Sequence, residues 1–263
     1  MQSPESSVFF SINWLGDFHI RYYGVIMFFA ILIAVLVMDK IAKKYYPKVD
    51  RTVLLDILPA IILCAILGAR VYYVILDFSY YSQHLSEIFA FWHGGLSIHG
   101  AILGGVIAGG ICAKKYKFNF LSYADVFSYG LIIGQAIGRL GNYFNCEAFG
   151  KPTNLPFALY IPEQYRPFQY SSYEYFHPTF AYEMIWNILV FCVLFFIIRK
   201  IPEITEGTIF FSYLLLYSTG RFFIETLRID SVLNIGTLPV AQLVSALIII
   251  ISLVFLCKKI KFE

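Results

Sequence analysis

Charge is scarce in this sequence. Only 14% of its 263 residues are Asp, Glu, Lys or Arg, and apolar residues reach 59%; a soluble domain has about a quarter charged and about half apolar. A water-soluble surface cannot absorb that excess. A disordered chain, a secreted disulfide scaffold and an ordinary cytosolic enzyme are therefore excluded. Cysteine is sparse and odd in number. Cys64, Cys112, Cys146, Cys192 and Cys257 show no metal-type spacing and read as structural, with Cys146 set apart by lying in a polar motif. There is no H-E-x-x-H pair, no P-loop and no cluster of Asp residues to hold magnesium, and Gly95-Leu96-Ser97-Ile98-His99 lacks the second glycine of a nucleophile elbow. Any catalysis is expected to proceed without metal or cofactor. Net charge is +3, with basic residues in short clusters between apolar runs, so nucleic acid is not an expected partner. No basic leader precedes the first apolar run, only Glu5, Asp17 and Arg21, so that run is expected to persist as a membrane helix.

What is present is length of apolar sequence. Crossing a bilayer takes about 20 apolar residues, and seven runs qualify: 22–38, 53–76, 96–113, 124–142, 180–198, 208–225 and 239–257. The expected fold is all-α: one polytopic membrane domain, 1–263, with seven transmembrane helices. No period-2 pattern of an outer-membrane barrel competes. Connections rich and poor in Lys and Arg alternate. Lys40, Lys43, Lys44, Lys48 and Arg51 follow the first run, none the second, Lys114, Lys115 and Lys117 the third. Lys151 and Arg166 are spread along the fourth connection, Arg199 and Lys200 lie in the fifth, Arg228 stands alone in the sixth, and Lys258, Lys259 and Lys261 end the chain. The positive-inside rule then puts the N-terminus outside and the C-terminus in the cytoplasm. Trp14, Tyr22, Tyr23, Tyr45, Tyr46, Tyr80, Tyr81 and Trp92 stand where an interfacial belt belongs. The long connection 143–179, with four prolines among its tyrosines, reads as a small folded external cap.

Ionisable groups inside membrane helices are costly and usually face a cavity. His99 opens the third run; it is either a helix-end histidine bonded to a neighbour or a base near neutral pH. Gly100, Gly104, Gly105, Gly109 and Gly110 behind it read as close helix packing. Gln135, Arg139 and Asn142 share one face of the fourth run; the arginine either snorkels or presents planar donors to a phosphate. Arg221, Glu225 and Arg228 share a face of the sixth, as an ion-pair ladder or as part of a site. Glu183 opens the fifth run as a partner for an arginine, with His177 a possible helix cap before it. Arg70 is a further cation, Gln242 suits an interhelical hydrogen bond, and Asp56 and Asp125 are isolated acids at inner ends. The expected topology brings His99, Arg139, Arg221 and Glu183 to the outer side. That describes an anion site suited to a phospholipid headgroup.

Five stretches in order, Tyr22-Tyr23-Gly24, Gly94-Gly95-Leu96-Ser97-Ile98-His99-Gly100, Gly138-Arg139-Leu140-Gly141-Asn142 through Glu147, His177-Pro178-Thr179 with Tyr182-Glu183, and Gly220-Arg221-Phe222 through Arg228, resemble the prolipoprotein diacylglyceryl transferases of bacteria. The resemblance implies a multi-pass enzyme of the bacterial cytoplasmic membrane with its active site toward the external face. It implies phosphatidylglycerol and prolipoprotein signal peptides bearing a lipobox cysteine as partners, within membrane lipid. The diacylglyceryl group would pass to the cysteine thiol as a thioether, and glycerol 1-phosphate would leave. It further implies catalytic roles for His99, Arg139 and Arg221. Arg139 and Asn142 would contact the headgroup, Tyr23, Asn145, Glu147 and Glu183 would orient the arginines, and Glu225 and Arg228 would hold the helix end of Arg221. Tyr217 counts among the substrate-binding residues. A transporter or flippase of anionic phospholipid is the alternative from another class; against it, no inverted repeat is visible and the polar groups favour one end over the midplane.

Overall fold

The computed structural model describes residues 1–4, 6–12, 18–90, 94–201, 204–229, 234–236 and 238–260. Trp14, Trp92 and Lys261, invoked above for the belt and for orientation, lie outside them, as does His93. The fold is mostly helical, and each of the seven apolar runs contains a helix: α1 (Tyr22–Tyr45), α2 (Arg51–Leu76), α3 (Ile98–Tyr116), α4 (Phe120–Phe144), α5 (Thr179–Cys192), α6 (Thr208–Glu225) and α7 (Val240–Ile260). Five stretches are long and apolar enough to cross a membrane: α1, α2, α4, α5 with its continuation to Lys200, and Val240–Lys258. The helix α3 ends in Lys114 and Lys115, and α6 carries Arg221 and Glu225, which dilutes their apolarity.

Three small antiparallel hairpins depart from a purely helical expectation: β1 (Val8–Ile12) with β2 (Phe18–Arg21), β3 (Leu159–Tyr160) with β4 (Tyr175–Phe176), and β5 (Asn234–Ile235) with β6 (Leu238–Pro239). The first precedes α1 and the other two sit in connections, outside the apolar runs. The helix α5 also departs from a single regular span: it widens into a π turn at Val193–Ile197 and tightens at Ile198–Lys200.

Polar side chains start several helices. Asp50 accepts the amides of Thr52 (2.8 Å) and Val53 (3.3 Å) at the start of α2. Asn119 accepts those of Leu121 (2.8 Å) and Ser122 (3.4 Å) before α4. Both satisfy amides that have no intrahelical partner. Asp125, read from the sequence as isolated, accepts the amides of Gly207 and Phe210, each at 2.8 Å. It caps α6 from a position 82 residues away, which no local signal reveals.

The chain packs as two compact units, Met1–Lys40 with Asp125–Glu263, and Ile41–Ala124. In the second, glycines bring α2 and α3 to backbone contact. A Cβ on Gly68 would lie 2.4 Å from the Gly100 carbonyl oxygen, and one on Gly104 2.2 Å from that of Cys64. The small-residue spacing in α3 thus serves packing, with Gly68 as its partner. In the first unit, α1 runs along the glycine strip of α4, Gly130 against Met38 and Ala34, Gly134 against Ala34, Gly138 against Met27, Gly141 against Tyr23.

The connection from α4 to α5 belongs to the first unit and is folded. Ala148, Phe149, Leu159, Ile161, Phe176 and Phe180 make its apolar core. Arg166 pins its far loop by donating to the carbonyls of Ile161 (2.7 Å) and Ser171 (3.2 Å). The Met1 ammonium donates to the Ala158 carbonyl (2.7 Å), and the Tyr160 amide to that of Met1 (2.9 Å), which adds the N-terminus to the edge of β3.

Candidate active site

Glu183 lies on the first turns of α5 with 3% of its surface exposed, and three arginines converge on it. Its Oε2 pairs with Nη2 of Arg139 from α4, and its Oε1 with Nη1 of Arg221 from α6. Arg228, just beyond α6, reaches the same Oε1 at 3.2 Å. Glu225 supports the pair from one turn away: its Oε2 lies 2.6 Å from Nη2 of Arg221 and 3.8 Å from Nε of Arg228. The α6 ladder is therefore real, and it is joined to two other helices through Glu183.

Exposure within the cluster is ordered. The carboxylate side chains of Glu183 and Glu225 are 4% and 2% exposed, and those of Arg139, Arg221 and Arg228 are 21%, 18% and 12%. The acids lie beneath, and the guanidinium groups are the more open members of the cluster. Ion pairs with so little water are strongly held only when geometry is good and every charge is answered. The layout answers the buried carboxylates with guanidinium groups, which carry five N–H donors each.

Arg139 connects to a second polar group. Its Nη1 donates to Oδ1 of Asn142 at 3.4 Å, and the amides of Asn142 (2.9 Å) and Asn145 (3.2 Å) donate to Oε1 of Glu147. Glu147 stands between Cys146 at φ +52° and Ala148 at φ +55°. Two non-glycine residues in the left-handed region mark stored backbone strain of the kind found at functional sites. The turn is held by amides returning to α4, Cys146 to Tyr143 (3.2 Å) and Glu147 to Asn142 (3.0 Å). Tyr23 lies over Gly141, where a Cβ would sit 2.6 Å from its ring, and its phenol is within electrostatic reach of Arg139 and Glu147. Burial pushes the Cys146 thiol above its ordinary range, opposed by a hydrogen bond from Ser3. It stays protonated near neutral pH and is a poor nucleophile.

Two supports have only faint sequence signals. Gly150 meets three segments at once: a Cβ there would lie 2.7 Å from the Leu227 carbonyl, 2.8 Å from Thr179 and 3.0 Å from His177. It forms a β-bridge with Arg228, which anchors that arginine to the folded connection. Trp186 donates to the Leu216 carbonyl at 2.9 Å and fills the space left by Gly220, where a Cβ would sit 2.1 Å from its Nε1. That contact locks α5 to α6 one residue before Arg221.

Tyr217 stacks on Tyr213 with centroids 6.0 Å apart, and Gln135 donates to the Tyr213 hydroxyl at 3.0 Å; both are packed one or two turns from the ion cluster. His177 is no helix cap. Pro178 holds that position, and the His177 ring shares a 3.0 Å hydrogen bond with the Tyr182 hydroxyl. Burial lowers its pKa from the usual imidazole value. Gln242 does bridge helices, donating to the Phe222 carbonyl at 3.2 Å. Arg70, in the second unit, is no free cation for a ligand. It is 3% exposed and its guanidinium is bound to backbone carbonyls between Glu87 and Gly95. His99, in the same unit, is exposed on the first turn of α3, 5.9 Å from the Tyr72 ring.

Residues 8–258 match the family described as prolipoprotein diacylglyceryl transferase. Among similar proteins are three named phosphatidylglycerol--prolipoprotein diacylglyceryl transferase. That of Trichormus variabilis is 46% identical over 88% of this chain and 82% of its own length. That of Synechocystis is 42% identical over 95% and 88%, and that of Thermotoga maritima 41% identical over 90% and 80%.

Proposed function

This chain belongs to the prolipoprotein diacylglyceryl transferase family, and from that premise we propose that it moves the diacylglyceryl group of phosphatidylglycerol to the thiol of a lipobox cysteine in prolipoprotein signal peptides. A carbon–sulfur bond forms, the carbon–oxygen bond to phosphate breaks, and glycerol 1-phosphate leaves. The observation that carries the reading is the cluster on Glu183, three outward guanidinium groups over two buried carboxylates.

The leaving group is a phosphate ester, so negative charge accumulates on phosphate oxygens as the bond breaks. Arg139 and Arg221 bind those oxygens, and their hold strengthens with the charge, which accelerates the chemical step as well as binding. Asn142 contacts the headgroup. Glu183, Glu225 and Arg228 set the two arginines, while Asn145, Glu147 and Tyr23 set Asn142 and Arg139. A free thiol titrates near pH 8.5, so attack needs a base; we assign that role to His99, which takes the proton. We assign seven crossings, α1 to α7, with the N-terminus outside, the C-terminus cytoplasmic, and the site facing the external side of the bacterial plasma membrane. The alternation of Lys-rich and Lys-poor connections supports that orientation.

The test uses purified protein in phosphatidylglycerol micelles with a lipobox peptide, read by mass spectrometry. The peptide gains one diacylglyceryl group and glycerol phosphate is released. A peptide with serine for cysteine gives none. Wild-type protein that binds anionic lipid without forming product overturns the assignment in favour of lipid transport.

A further inference from the structure

We propose that Arg70 is a positioning residue for the reaction: it fixes the segment that opens α3 and thereby sets the place of His99. The proposal rests on the reading of His99 as the base. Arg70 lies near the end of α2, and all three of its guanidinium nitrogens donate to main-chain carbonyls. Nε reaches Ile88 (2.9 Å), Nη1 reaches Gly94 (2.5 Å) and Gly95 (2.9 Å), and Nη2 reaches Glu87 (2.5 Å) and Ala90 (3.3 Å). Its Cζ lies 5.2 Å from the Tyr81 ring centroid. Only a planar fork with five N–H donors spans so many acceptors; an ammonium is a compact point charge.

The receiving segment is shaped for this grip. Gly94 and Gly95 have φ of +86° and +71°, and this left-handed pair offers both carbonyls to one nitrogen. Such φ values strain any side-chain-bearing residue. At Gly95 a Cβ would also lie 2.6 Å from Nη1 of Arg70 and 2.8 Å from the Tyr73 ring. The fastening continues along the chain. The Ser97 amide donates to the Ala69 carbonyl at 3.0 Å, and Gly100 packs so closely that a Cβ would sit 2.2 Å from the Gly68 carbonyl oxygen. Residues 94–100 are thus fastened to Gly68, Ala69 and Arg70 in sequence, and His99 stands inside the fastened stretch. A general base must sit within hydrogen-bond reach of its proton, so a slip of this segment costs turnover without touching the arginines that bind lipid.

The experiment compares wild type, Arg70→Lys, Gly95→Ala and His99→Gln as full-length protein in phosphatidylglycerol micelles with a lipobox peptide. It measures kcat per folded molecule, KM for phosphatidylglycerol, the pH profile of kcat, and hydrogen exchange of residues 94–100. Arg70→Lys and Gly95→Ala are each expected to lower kcat at least tenfold, leave KM within twofold, move the acid limb of the pH profile and speed exchange in 94–100. Gly95→Ala opens the same grip from the other side, so it decides the matter if Arg70→Lys does not fold. Wild-type kcat and an unmoved acid limb despite faster exchange overturn the proposal. So does undiminished kcat in His99→Gln, which removes the base through which Arg70 acts. Wild-type protein without transferase activity defeats the functional reading instead; unchanged exchange at 94–100 in both variants would then reject the structural half of this one.

Discussion

Four arginines of this molecule have two kinds of company. Arg139, Arg221 and Arg228 rest on the carboxylates of Glu183 and Glu225, with 12–21% of their side chains open. Arg70, 3% exposed, rests on backbone carbonyls of one short segment. Under the proposed function, a carboxylate partner shares its arginine with a second anion at the open edge, because a guanidinium has five N–H donors and one carboxylate does not use them all. Backbone carbonyls are neutral and belong to the fold, so the arginine they hold cannot turn to a ligand without local unfolding. On the proposed function, the same side chain is a binding group in one setting and a clamp in the other, and its partners decide which.

The largest effect expected from breaking the comparison is at Arg139. Arg139→Ala should lower kcat/KM by about 10²–10³, the usual loss when one preorganised donor to a developing oxyanion is removed. Arg139→Lys should restore little of it, since an ammonium cannot bind two oxygens in the plane of a fork. Both are read by product formation with the lipobox peptide.

Next is the hub. Glu183→Leu removes the carboxylate shared by three arginines. Taking one partner from a buried ion pair costs about 3–5 kcal/mol, and the partly open arginines place this case near the lower end, about 3 kcal/mol. Thermal unfolding in detergent should show a fall of several degrees, and an unchanged midpoint would mean that solvent already screens the cluster.

A chemical probe sharpens the contrast with a smaller effect. Phenylglyoxal should modify Arg139 and Arg221 in the native protein several-fold more slowly when glycerol phosphate is present. Arg70 should resist modification with or without it. Peptide mapping separates the sites, and equal protection at Arg70 would erase the distinction.

The smallest effect concerns a basic group whose hydrogen-bond partner is a phenol. Burial lowers the His177 pKa, so at pH values between its folded value and the ordinary value near 6.5 the unfolded chain holds more proton than the folded one. Stability then rises with pH through that window and is lost as pH falls through it. Thermal midpoints measured from pH 5 to 8 should show a slope that flattens in His177→Gln.

Much of this was readable in order along the chain. Each of the seven apolar runs holds a helix, and five of these stretches are long and apolar enough to cross a membrane, because a segment that must satisfy its own backbone in lipid has helix as its local solution. Arg221, Glu225 and Arg228 were legible as one face because their spacing is helical. The glycines of α3 were legible as packing, although Gly68 was visible only as one more small residue in α2. What was not legible came from distant pairs. Asp125 reads as an isolated acid until Gly207 and Phe210 appear beside it, and Arg70 reads as one more cation until the carbonyls of Glu87 to Gly95 close around it. The strands β3 to β6 were hidden because two residues carry too little alternation to be seen.

Composition and periodicity alone therefore settle the solvent of this protein, its helical class and the residue types of its chemistry, since each follows from transfer of local segments out of water. Which charge answers which is a different matter. Glu183 meets Arg139 and Arg221 from 44 and 38 positions away, and Arg70 meets Gly95 from 25. Those partnerships depend on how helices pack, and packing is set by volumes, glycine contacts and caps contributed from all over the chain. For that reason the company of each arginine, carboxylates or backbone carbonyls, was decided in three dimensions.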